Sequence, residues 1–101
     1  MVIIDAINMC SQGRISIVDF FGGIKPDFVS VTVDTEIGGI ILKRSKTAED
    51  AFAVDPKGRI FMPAWIRKRL PNGIKGFYVA LINHEKVLVP AEEDITWAKA
   101  R

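Results

Sequence analysis

The stretch Asp55-Pro-Lys-Gly-Arg-Ile-Phe-Met-Pro-Ala-Trp-Ile-Arg-Lys-Arg-Leu70 holds the densest run of local structural signals in this 101-residue chain. Pro56 presets φ at the second position of a turn, and Gly58 supplies the fourth position that a type I turn favours. Residues 59–62 then read as a short strand. Pro63 suits a first helical position, where an N–H would lack an intrahelical partner anyway. A helix is therefore expected over 63–70. It stops before Pro71, because the residue ahead of a proline is pushed out of the α region. Ile66 and Leu70 share one face of such a helix, with Trp65 at the edge of the core, and Arg67, Lys68 and Arg69 point away from that face.

The pattern Asp-x-x-Gly-Arg-Ile-x-Met-Pro-x-x-Ile-Arg, running here from Asp55 to Arg67, resembles the signature of the AbrB, MazE and SpoVT swapped-hairpin family. The resemblance covers residues 53–90 well and the first half weakly. It implies a mainly β fold, a small cradle-loop β-barrel built from strand-strand-(helix)-strand-strand halves. It also implies a DNA-binding transcription regulator or the antitoxin half of a toxin pair. Arginines at the positions of Arg59 and Arg67 belong to the DNA-facing surface of that family.

Charge is distributed in the same sense. The net charge is only +2, yet Lys57, Arg59, Arg67, Lys68, Arg69 and Lys75 fall in one segment that contains none of the 12 acidic residues. A basic island on a mildly acidic body suits a face that meets a polyanion, although a solvated helix face has the same composition. Lys57, Arg59, Arg67, Lys68 and Arg69 would neutralise phosphates, and the planar fork of arginine also suits paired contacts to guanine edges. Arg59 has a second reading, as a brace for the turn beside Asp55.

Taken in order, residues 2–9 and 14–18 read as strands around a turn at 10–13, and 28–34 and 40–44 as a hairpin. The turn-Gly-Arg-Ile start of the first half, Gly13-Arg14-Ile15, repeats at Gly58-Arg59-Ile60. Ile24-Lys25 is matched by Ile74-Lys75, and strands follow at 77–83 and 87–89. Residues 2–44 and 51–90 are thus expected to be two copies of one unit within a single domain, 1–101. Between strands two and three the first copy has ten residues from Arg14 to Ile24, where the second has fifteen from Arg59 to Ile74. It has no room for the basic helix, and Gly22-Gly23 would oppose one. Arg14 is the weaker DNA-binding candidate, as counterpart of Arg59.

The linker 45–50 reaches only about 20 Å when extended, which keeps the halves adjacent. Two assemblies compete: both halves interleaved in one chain, similar to single-chain RIFT-type barrels, or two chains exchanging hairpins. The unequal halves favour the first. A homodimer through Phe20-Phe21 stays open. The tail, 91–101, reads as a short helix with Glu92, Glu93 and Asp94 in its first turn and Lys99 and Arg101 in its last. It covers one end of the barrel or engages a protein partner.

Other chemistry has little support. Cys10 is the only cysteine and His84 the only histidine, which leaves neither an internal disulfide nor a zinc set. Ser11, Ser16, Ser30 and Ser45 have no histidine in a recognisable arrangement, and Gly22-Gly23-Ile24-Lys25 lacks phosphate-loop spacing. No apolar run approaches a membrane span, and residues 1–9 lack a basic leader. The expectation is a cytoplasmic, non-enzymatic protein without a cofactor that binds double-stranded DNA. The alternatives are an antitoxin-like interaction module and, by fold analogy alone, a nucleotide- or flavin-binding barrel.

Overall fold

The computed structural model describes residues 2–36, 38–70 and 74–91. Among these residues are eight strands: β1 (Val2–Asn8), β2 (Arg14–Ser16), β3 (Phe28–Asp34), β4 (Gly39–Ser45), β5 (Phe52–Ala53), β6 (Arg59–Phe61), β7 (Gly76–Ile82) and β8 (Glu85–Ala91). A 3-10 turn at Asp19–Phe21 and one turn of α-helix, α1 (Ala64–Arg67), complete the described elements. The strands form a six-stranded antiparallel sheet in the order β1-β7-β8-β4-β3-β5 and a separate two-stranded ribbon, β2-β6.

Exchanging the two halves of the chain leaves this order unchanged. β1 pairs with β7 as β5 pairs with β3, β7-β8 is a hairpin as β3-β4 is, and β4-β8 and β2-β6 each join equivalent strands. The ribbon is in register on that approximate two-fold axis, with Ile15 directly opposite Ile60. Backbone hydrogen bonds repeat across it. The Ile17 N–H donates to Gly58 O at 2.9 Å and the Met62 N–H to Gly13 O at 2.8 Å. The halves therefore interleave inside one chain. The sheet is open, with β1 and β5 at its two edges.

Burial explains the register. Ile15 and Ile60 face inward with Ile17 and Met62, all at most 2% exposed, onto Val29, Phe77 and Leu88 of the large sheet. Fully burying side chains of this size is worth roughly 1.5–3 kcal/mol each. A one-residue slip of either ribbon strand would turn its isoleucine to solvent. The β7-β8 turn needs left-handed backbone at both central residues, and Asn83 (φ 52) and His84 (φ 66) adopt it, which places His84 in the exposed turn expected of it.

Several expectations change in the fold. The helix expected over 63–70 is α-helical only at Ala64–Arg67. Arg69 and Leu70 then bond back three residues, to Ile66 O and Arg67 O, in tighter 3-10 fashion. Pro63 is the cap and not the first helical residue. Trp65 is 48% exposed, and Ile66 is the one residue of α1 buried in the core. Phe20, left open above as part of a dimer surface, is buried at 6% in the protein's own core. The 3-10 turn that buries it has its carbonyls satisfied by distant cations: Lys86 Nζ donates to Phe20 O at 2.9 Å and Arg44 Nη2 to Phe21 O at 2.8 Å. The last strand is longer than expected and runs through Pro90 to Ala91. The tail helix expected after it, with its partner role, lies outside the described residues.

Candidate nucleic-acid interface

Because Ile15 and Ile60 point inward, the flanking residues of the ribbon point outward. Arg14 stands opposite Phe61, and Ser16 opposite Arg59, on one solvent-facing surface. Each arginine is placed by a turn of the same construction. In the second half, Gly58 N–H donates to Asp55 O at 2.9 Å, Asp55 N–H to Arg59 O at 2.9 Å, and Gly58 takes φ 77. In the first half, Gly13 N–H donates to Cys10 O at 2.9 Å, Cys10 N–H to Arg14 O at 3.0 Å, and Gly13 takes φ 82. Glycine is required at both positions because an L side chain is strained in that region.

The side chains differ. Arg59 donates through Nε to Asp55 Oδ2 at 3.0 Å, an ion pair whose partners are 34% and 32% exposed. The brace read from the sequence is thus real, and it orients the guanidinium at the ribbon surface. Asp55 also accepts the N–H groups of Arg59 and Lys57 at 2.9 Å each. The backbone bond from Arg59, helped by its guanidinium and by Lys57 N–H, holds the Asp55 carboxyl below the usual range. Arg14 instead lies over the Phe61 ring, 4.3 Å from its centroid, with its Nε buried and unpartnered. Phe61 itself is 52% exposed.

Arg67 reaches the Gly13 turn from α1. Its side chain lies on Gly13, where a Cβ would stand 2.9 Å from Nη1. The equivalent glycine, Gly58, is covered instead by Val18, so the two turns are roofed by a cation on one side and a methyl group on the other. Lys57 is exposed on the Gly58 turn. Of the basic residues singled out in the sequence, Arg14 and Arg59 share the outer ribbon face, with Arg67 against the Gly13 turn and Lys57 on the Gly58 turn. Lys68 is exposed at the C-terminal cap of α1, and no described hydrogen bond or ion pair draws it into the cluster. Arg69 is directed elsewhere: it lies 5.7 Å from the centroid of Trp65 and lines an open cleft of about 400 Å³ between α1, the β3-β4 tip and Pro90.

Phe61 is the member of the surface that the sequence reading did not single out. Its signal was present, since alternation that buries Ile60 and Met62 turns Phe61 outward beside Arg59. The described residues contain no group of three metal-ligating side chains. No helix among them is long and apolar enough to cross a membrane. Compared with family models, with curated proteins and with solved structures, the chain matches none.

Proposed function

We propose that this protein is a DNA-binding regulator of the AbrB-like type that contacts double-stranded DNA through its basic ribbon surface and the turns beside it. The observation that carries the proposal is the placing of Arg14 and Arg59 on one outward ribbon face, with Arg67 against the Gly13 turn beside it, from positions far apart in the chain. Phosphates supply most of the affinity of such a surface, and arginine forks add base contacts. In this reading the two halves together make a small barrel of the cradle-loop type in one chain, acting in the cytoplasm with no catalytic role and no cofactor.

The test is fluorescence anisotropy with duplex DNA across a salt series. The comparison is with a variant carrying Lys57→Ala, Arg67→Ala and Lys68→Ala. We expect log K to fall steeply with log salt, and the variant's slope to be shallower by about two to three, close to one for each phosphate no longer neutralised. Equal slopes, or no binding at low salt, would sink the reading.

A protein-interaction module is the second reading, and one observation favours it. β1 is a seven-residue open edge whose Val2, Ile3 and Ile4 are 60%, 52% and 46% exposed. Exposed apolar edges add strands from other chains. A second copy paired at this edge would double the light-scattering mass from 11.2 kDa. A mass of one chain at all concentrations tested would leave the edge unused.

A further inference from the structure

We infer that one chain is sufficient to occupy an approximately two-fold DNA site, with the β2-β6 ribbon lying in the major groove and Arg14 and Arg59 reading equivalent positions on either side of the local axis. The inference rests on the duplex-binding reading above and adds the element that enters the groove, the stoichiometry and the symmetry of the target.

The geometry follows from the register. The axis passes through the Ile15-Ile60 pair, so exchange of the halves carries Arg14 onto Arg59 and Ser16 onto Phe61. Arg14 and Arg59 are diagonal neighbours on the outer face, a relation that in antiparallel pairs spans about 7–8 Å. Stacked base pairs rise by about 3.4 Å, so the two forks face base pairs about two steps apart. A two-stranded ribbon fits a major groove about 12 Å wide. The helix cannot take this part, because α1 is one turn long, and Arg69, beyond its end, lies over Trp65 and lines the cleft.

Both arginines are pre-oriented, by different means. Arg59 is held by Asp55 through Nε, and Arg14 is laid against Phe61. Arginine prefers the O6 and N7 edge of guanine, so the core of the site carries two guanines related by the axis. Away from them the match is broken. Phe61 offers an apolar surface suited to a thymine methyl, whereas Ser16 offers a hydroxyl. Arg67, above Gly13, has its counterpart in Val18, so one flank gains a phosphate contact that the other lacks. The target is two-fold at its centre and unequal outside it.

The experiment measures binding stoichiometry and selects preferred sites from a randomised duplex library, for the wild type, Arg14→Ala, Arg59→Ala and the charge-preserving Arg14→Lys and Arg59→Lys. We expect one chain per selected site. Each alanine variant should lose preference at one of the two related guanines and bind its wild-type site about 5- to 150-fold more weakly. The lysine variants should lose the same preference while keeping the wild-type salt slope, and Arg14→Lys, which breaks no ion pair, should also keep the thermal midpoint, which separates base reading from folding. Two chains per site, or an Arg14→Lys variant that selects the wild-type sequence, would overturn this inference and leave duplex binding standing. Failure of the wild type to bind any duplex at low salt would overturn both.

Discussion

Cys10 and Asp55 hold the same place in two turns related by the internal axis. The Arg14 N–H donates to Cys10 Sγ at 3.4 Å, and the Arg59 N–H donates to Asp55 Oδ1 at 2.9 Å. Asp55 also accepts the Arg59 guanidinium, while Arg14 Nε is buried without a partner. The thiol fills the acceptor position of a carboxylate that only one half possesses.

Cys10→Asp is therefore expected to stabilise the protein. It supplies a stronger acceptor for the Arg14 backbone and a partner for Arg14 Nε. Thermal unfolding should show a higher midpoint than wild type, and Asp55→Ala a lower one. A lower midpoint for Cys10→Asp would mean that the two turns are not interchangeable.

The same turn sets a pH dependence. Asp55 is held below its ordinary carboxylate range in the folded state, chiefly by the Arg59 backbone N–H. A depressed folded value contributes stability that is present above the unfolded pKa, near 3.9 for an aspartate, and is lost as pH falls through the folded value. Urea midpoints should drop below about pH 4, and Asp55→Asn should flatten that limb. An unchanged acid limb in Asp55→Asn would assign it to other carboxyls.

Cys10 is exposed, and the Arg14 and Gln12 backbone N–H groups favour its thiolate, with Arg14 and Arg59 adding in the same direction. Alkylation by iodoacetamide should accordingly reach its half-maximal rate at a lower pH in the folded protein than in urea. Coincident profiles would contradict the turn geometry.

Gly13 and Gly58 allow a matched comparison. Both are left-handed, so alanine costs about 1–2 kcal/mol at either from backbone strain alone. At Gly58 the new methyl also collides with Val18, whereas at Gly13 it meets the movable end of Arg67. Urea unfolding should show Gly58→Ala as the more destabilised. Gly13→Ala, by displacing Arg67, should reduce DNA affinity more for a given drop in stability.

The axis itself is a packing prediction. Ile15 and Ile60 face each other at 1% and 2% exposure. Alanine at either should cost about 2–5 kcal/mol, and the double substitution should depart from additivity because the two share one cavity. Strictly additive losses in a double-mutant cycle would argue against direct packing.

What the sequence determined by itself was local. The 55–58 turn, the short strand starting at Arg59, the hairpins and the matched Gly-Arg-Ile starts follow from proline's fixed φ, glycine's access to positive φ and the two-residue alternation of strands. These are properties of neighbours in the chain. The strand order, the partnership of β2 with β6 and the arrival of Arg14 beside Arg59 and of Arg67 on the Gly13 turn were decided only in the tertiary structure, because they join segments of opposite halves. Their register is chosen by burial of Ile15 against Ile60. The same packing exposed Phe61, set Arg69 beside Trp65 instead, and left residues 63–70 with a single α-helical turn, in which Ile66 is the only buried residue. Propensity proposed a helix, and the core accepted one turn of it.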